Sequence, residues 1–82
     1  MTLRDCLPLI ITEWDKSKRD GVRVTLDEYR GQPTIDIRVF YEAGEGVRRP
    51  SPKGITLGVR HLSSLAEATA QAEAKARELK LI

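Results

Sequence analysis

Two stretches of strict alternation, set back to back across a glycine, constrain this chain more than any other feature. In Val22-Arg-Val-Thr-Leu-Asp-Glu-Tyr-Arg30, Val22, Val24 and Leu26 point one way and Arg23, Thr25, Asp27 and Tyr29 the other. In Thr34-Ile-Asp-Ile-Arg-Val-Phe-Tyr41 the apolar set is Ile35, Ile37 and Val39, opposite Asp36, Arg38 and Phe40. A period of two belongs to a strand with one buried and one wet face. Arg30-Gly31-Gln32 turns the chain between them, Gly31 supplying the positive φ of a tight turn. Strict alternation sends Tyr41 with the apolar set. Either a bulge re-aims it, or Phe40 is the aromatic on the wet face.

The flanks extend the sheet. Pro8-Leu-Ile-Ile-Thr-Glu-Trp14 is a short β-branched strand with proline at its start, where a missing donor is tolerated. Asp15 to Gly21 is a polar loop carrying Lys16, Lys18 and Arg19, which read equally as polyanion contacts or solvated charge. After the reversal at Glu42–Gly46 comes Val47-Arg-Arg-Pro-Ser-Pro-Lys-Gly-Ile-Thr-Leu57. Pro50 and Pro52 donate no amide, so this strand breaks in the middle and suits a sheet edge or a strongly curved sheet. From about residue 60 the period changes to three and four. Leu62, Leu65, Thr69, Ala72, Ala76 and Leu79 share a helical face, with Ser64 and Glu67 as a capping box or a start one turn earlier, after Gly58. The expectation is one α+β domain over residues 1–82, with strands at about 8–14, 22–30, 33–42 and 46–58 and a helix at about 60–80.

A chain of 82 residues buries only about 60–65% of the surface it exposes unfolded. Cys6 is the single cysteine, so no internal disulfide forms, and Cys6 and His61 lack the partners a metal site needs. Neither a metal nor another cofactor is expected. Self-association is the remaining staple, and the alanine-rich helical face suits close approach to a second helix. No apolar run approaches the roughly 20 residues of a membrane span, and the N-terminus lacks a signal peptide's layout. A soluble, cytoplasmic protein is expected.

The net charge is only +2, but its distribution is uneven. Residues 1–15 hold one Arg against three acids, residues 16–60 ten Lys/Arg against six, and residues 61–82 three against three. The positive excess lies on the sheet.

The centre of the sheet carries a resemblance. Gly31, then Ile35-Asp36-Ile37-Arg38 running into Phe40-Tyr41, then Lys53-Gly54-Ile55-Thr56-Leu57, resemble the core of the transcriptional positive cofactor 4 family. Val59-Arg-His-Leu62 ahead of an Ala-rich helix resembles its compact bacterial or phage members. The resemblance implies a curved four-stranded antiparallel β-sheet followed by a C-terminal α-helix. It further implies a homodimer built largely through the helices, here Leu62, Leu65, Ala72, Ala76 and Leu79. It also implies sequence-tolerant binding of single-stranded DNA, with RNA as a further candidate ligand and the transcription machinery as a candidate partner. The family's contact positions fall on Tyr29 and Tyr41 as base-stacking platforms and on Arg30, Arg38, Arg49 and Lys53 as phosphate contacts. Arg23, Phe40 and Arg48 are secondary candidates. Gln32 and Pro52 stand where basic residues are usual, and Tyr41 where others carry Trp.

Each of these residues has a plainer reading. The tyrosines could pack as strand-end residues, Arg38 could pair with Asp36 or Asp27, and Arg48 could guard a sheet edge. Trp14 reads as core or dimer interface. An enzyme is disfavoured, because no nucleophile–base set is visible and Gly44-x-Gly46 sits in a hairpin rather than before a helix. Two functions follow: a single-strand binder in transcription, replication or repair, or an interaction module whose basic sheet docks an acidic partner or polymerase.

Overall fold

The computed structural model describes residues 6–82, so the reading of residues 1–5 as free of a targeting signal lies outside it. Four strands form one antiparallel sheet in chain order: β1 (Leu9–Asp15), β2 (Gly21–Tyr29), β3 (Gln32–Gly44) and β4 (Val47–Gly58). A single 3-10 turn, Val59–His61, leads into the helix α1 (Leu62–Glu78).

The alternation dictates the register. Val22, Val24 and Leu26 lie opposite Val39, Ile37 and Ile35, while Arg23 and Thr25 lie opposite Arg38 and Asp36. Leu57 and Ile55 extend the apolar face onto β4, and Leu9 and Trp14 extend it onto β1. Arg30 and Gly31 both take positive φ between the paired Tyr29 and Gln32, the two-residue hairpin turn whose twist matches the strands.

The break expected at Pro50 and Pro52 is present. Arg38 pairs with Gly54 but Phe40 pairs with Pro50, so three β4 residues, 51–53, stand opposite Val39 alone. The bulge is on β4, the edge strand, where prolines leave fewest ladder bonds unmade. A second irregularity, between Glu42 and Gly44, comes after Tyr41 and does not re-aim it.

Of the two starts expected for the helix, the structure takes the earlier, after Gly58, and not the Ser64–Glu67 capping box. The helix begins at Leu62, behind the 3-10 turn that follows Gly58, so Ser64 lies inside it and no side chain caps its first turn. Glu67 accepts from Gln71 Nε2 at 3.2 Å instead of reaching back to a cap. Among the described residues no helix is long and apolar enough to cross a membrane.

Little is buried. Ile35 is the only hydrophobic residue of the described chain under 9% exposed, at 4%. No residue of α1 is buried, and it is the turn at the helix root, rather than the helix, that packs on β3 and β4. Leu62 and Leu79 are exposed and Leu65 and Ala76 half-buried along one helical side. The radius of gyration is 14.9 Å, against about 12 Å for a compact domain of this length. Hydrophobic burial is the main force holding a domain together. A sheet with one uncovered apolar face and an outstanding helix therefore has most of that force still unused.

Candidate nucleic-acid interface

The polar face of the sheet is a lattice of ion pairs. Arg38 forks onto Asp36, donating from Nε to Oδ2 at 3.1 Å and from Nη2 to Oδ1 at 2.8 Å. Thr56 completes the group, donating to Asp36 Oδ1 at 2.6 Å and accepting from Arg38 Nη2 at 3.2 Å. Arg38 Nη1 reaches the carbonyl of Ser51 at 3.0 Å. Asp27 takes no part; its carboxylate accepts from the Glu28 amide. Burial by itself would raise the Asp36 carboxyl, but the bonds from Arg38 and Thr56 and the charge of Arg38 outweigh it. The group is held below the ordinary carboxylate value.

A second cluster ties the two edges together. Arg48 on β4 donates to Glu13 at 3.3 Å and Asp15 at 3.1 Å on β1, and to the carbonyl of Arg19 at 3.1 Å. The reach from one edge strand to the other requires the sheet to curl. It also requires Gly21, because a β-carbon there would stand 2.5 Å from Arg48 Nη1. Arg23 donates to Glu13 at 3.2 Å and lies over the Phe40 ring, with Cζ 3.8 Å from its centroid. Phe40 is thus on the polar face, with one side of its ring already covered.

The remaining candidates are open. Tyr29 is 64% exposed and Tyr41 43%. The Arg30 guanidinium sits 5.2 Å from the Tyr29 ring centroid and forms no ion pair among the described residues. Arg49, directly across from Tyr41, and Lys53 in the bulge are likewise without a salt bridge. Lys53 lines a shallow groove of ≈ 320 Å³ with Val22, Ile37, Arg38, Val39, Gly54 and Ile55.

The nine sequence candidates therefore separate into three groups. Tyr29 and Arg30 form one aromatic–cation cluster, at the β2–β3 hairpin. Tyr41, Arg49 and Lys53 lie toward the β3–β4 hairpin, and the nine residue steps along β3 from Gln32 to Tyr41 put the two clusters about 30 Å apart along the strand. Arg38, Arg23, Arg48 and Phe40 are held inside the lattice of the polar face. By register Tyr41 follows Val39 on the apolar side, whereas Tyr29 belongs to the polar side. Sequence reading missed the acceptors that occupy these arginines. Glu13, Asp15, Ser51 and Thr56 come from β1 and β4, and nothing local marks them as partners of arginines on other strands. Trp14 stands opposite Val22 on the apolar face, 52% exposed. Among the described residues no group of three His, Cys, Asp or Glu could hold a metal ion.

Comparison with known proteins places the fold. The sequence profile of the family described as Transcriptional Coactivator p15 (PC4) matches residues 14–68. A PC4 homologue from Burkholderia pseudomallei superposes with a TM-score of 0.75 at 23% identity, covering 80% of this chain and 89% of that one. A bacteriophage T5 homologue of PC4, implicated in recombination-dependent DNA replication, gives 0.61 at 23% identity over 89% and 85%. The protein of the MoSub1–DNA complex gives 0.58 at 30% identity over 82% of each chain. No curated protein sequence matches.

Proposed function

The chain belongs to the transcriptional coactivator p15 (PC4) family, and on that premise we propose that it binds single-stranded DNA with little sequence preference, as a homodimer. The observation that carries the reading is the pairing of each exposed tyrosine with cations that have no carboxylate partner among the described residues. Tyr29 has Arg30, and Tyr41 has Arg49, with Lys53 in the adjoining bulge. Unpaired bases offer flat faces that stack on aromatics at about 1–3 kcal/mol each, and phosphates beside them are neutralised by free Lys and Arg. Duplex DNA hides its base faces and gains nothing from the tyrosines. A relative solved with DNA supports DNA as the ligand class.

The homodimer is supported by what one protomer leaves uncovered on its helix, the Leu62, Leu65, Ala72, Ala76 and Leu79 side of α1. Two copies double the clusters, so that one strand can engage several platforms. The role is non-catalytic, in transcription or in replication and repair; the phage relative speaks for the latter.

Titration of a labelled oligonucleotide against Tyr29→Ala and Tyr41→Ala tests the reading. Each substitution weakens single-strand binding by about 1–3 kcal/mol and leaves duplex binding unchanged. Equal affinity for duplex, with both substitutions silent, would transfer the case to docking of an acidic protein partner.

A further inference from the structure

Arg38 stands out by having so little left to offer a ligand. A guanidinium has five N–H donors. Four of Arg38's are occupied, by Asp36 twice, Thr56 and the Ser51 carbonyl. Its side chain is only 22% exposed.

What it holds is the β4 bulge. Ser51 is the first of the three residues opposite Val39, and its neighbours Pro50 and Pro52 contribute no amide. Ser51 makes good that loss with its side chain. Its hydroxyl donates to the Val39 carbonyl at 2.7 Å and accepts from the Lys53 amide at 3.1 Å. Its own carbonyl is fastened to Arg38 at 3.0 Å. The chain of bonds Asp36–Arg38–Ser51–Lys53 therefore runs from the polar face of β3 to the backbone amide of Lys53, whose side chain lines the groove. Gly54 lets it pass, since a β-carbon there would meet the Ile37 carbonyl at 2.6 Å and Arg38 Cα at 2.9 Å.

We propose that Arg38 is a positioning residue, which with Ser51 fixes the β4 bulge so that Lys53 meets the ligand, and that it does not itself neutralise a phosphate. The inference rests on the single-strand reading above. It reduces the cations that contact phosphate to Arg30, Arg49 and Lys53. The salt dependence of single-strand binding then has a slope near −2 per protomer, and not the value near −3 that four contacts would give.

The experiment is a double-mutant cycle in single-strand affinity with Lys53→Ala as one arm and Arg38→Ala, Arg38→Lys or Ser51→Ala as the other. Through Lys53, each of the three weakens binding by roughly five- to tenfold. In the Lys53→Ala background each adds nothing further and leaves the salt slope where it was. Arg38→Lys, which keeps the charge but not the fork, fails as Arg38→Ala does. Additive losses, a further fall in slope of about 0.7, or full activity of Arg38→Lys would overturn the proposal. Hydrogen exchange of the Lys53 amide, read on the free protein, separates the two claims. Its protection is lost in Arg38→Ala and Ser51→Ala if the strut is real. Unchanged protection overturns the strut whatever the protein binds, whereas a wild type that ignores single strands, with protection lost in both variants, counts against the ligand alone.

Discussion

Gly54→Ala measures how tightly Arg38 lies against the edge strand. The backbone at Gly54 is not in the left-handed region, so alanine can adopt it without torsional strain. By entropy of the unfolded chain alone, the substitution would stabilise by about 0.4–1 kcal/mol. The space is the obstacle. The new methyl would stand 2.6 Å from the Ile37 carbonyl oxygen, 2.9 Å from Arg38 Cα and 3.1 Å from Arg38 Cβ. Two of these are backbone atoms of the central strand, which cannot swing aside as a side-chain tip does. Overpacking of this kind costs about 1–3 kcal/mol, and displacing Arg38 loosens its four bonds as well. A net loss of about 1–2 kcal/mol follows, a fall in Tm of roughly 5–15 °C for a chain this short. Thermal unfolding at one fixed protein concentration reads it, since an associating protein's Tm moves with concentration. Gly58→Ala is the control. Its nearest neighbour is the mobile Arg60 Nη1 at 3.1 Å, so it should change stability by less than about 0.5 kcal/mol. A Gly54→Ala protein as stable as the parent would mean that Arg38 does not cross the edge strand there.

Three other outcomes follow. Glu13→Gln with Asp15→Asn frees Arg48 and Arg23 from their carboxylates; single-strand binding should tighten and its salt slope steepen by up to about 0.7 per released cation. No gain in a fluorescence titration would show that these arginines lie off the ligand's path. Asp36 is depressed by its bonds in the fold, so its stabilisation is fully present above the unfolded value of about 3.9 and is lost as pH falls through the lower folded value. Urea unfolding at pH 7 should therefore separate the parent from Asp36→Asn, and the gap should narrow in acid; a constant gap contradicts the sign. Sedimentation at micromolar concentration should give a dimer, dissociated by Leu65→Glu on the half-buried side of α1, and a monomeric parent would refute the association.

The sequence by itself determined the sheet. Alternation in residues 22–30 and 34–41, the Arg30-Gly31 turn and the two prolines of β4 are local instructions, each acting within a few residues. Local sterics suffice to impose them, and strands, hairpin and bulge stand where those residues require. Only the tertiary structure decided which cations remain free. Arg38, Arg23 and Arg48 look no different in sequence from Arg49 or Lys53, yet the first three meet acceptors, some of them more than 30 residues away in the chain. An ion pair depends on distance in space, and that distance is set by the curl of the sheet, which no short stretch of sequence encodes. Phe40 and Tyr41 show the same division. Alternation left open whether a bulge would re-aim Tyr41; the register settled their sides, and Arg23 arriving from the neighbouring strand decided that the Phe40 ring is covered.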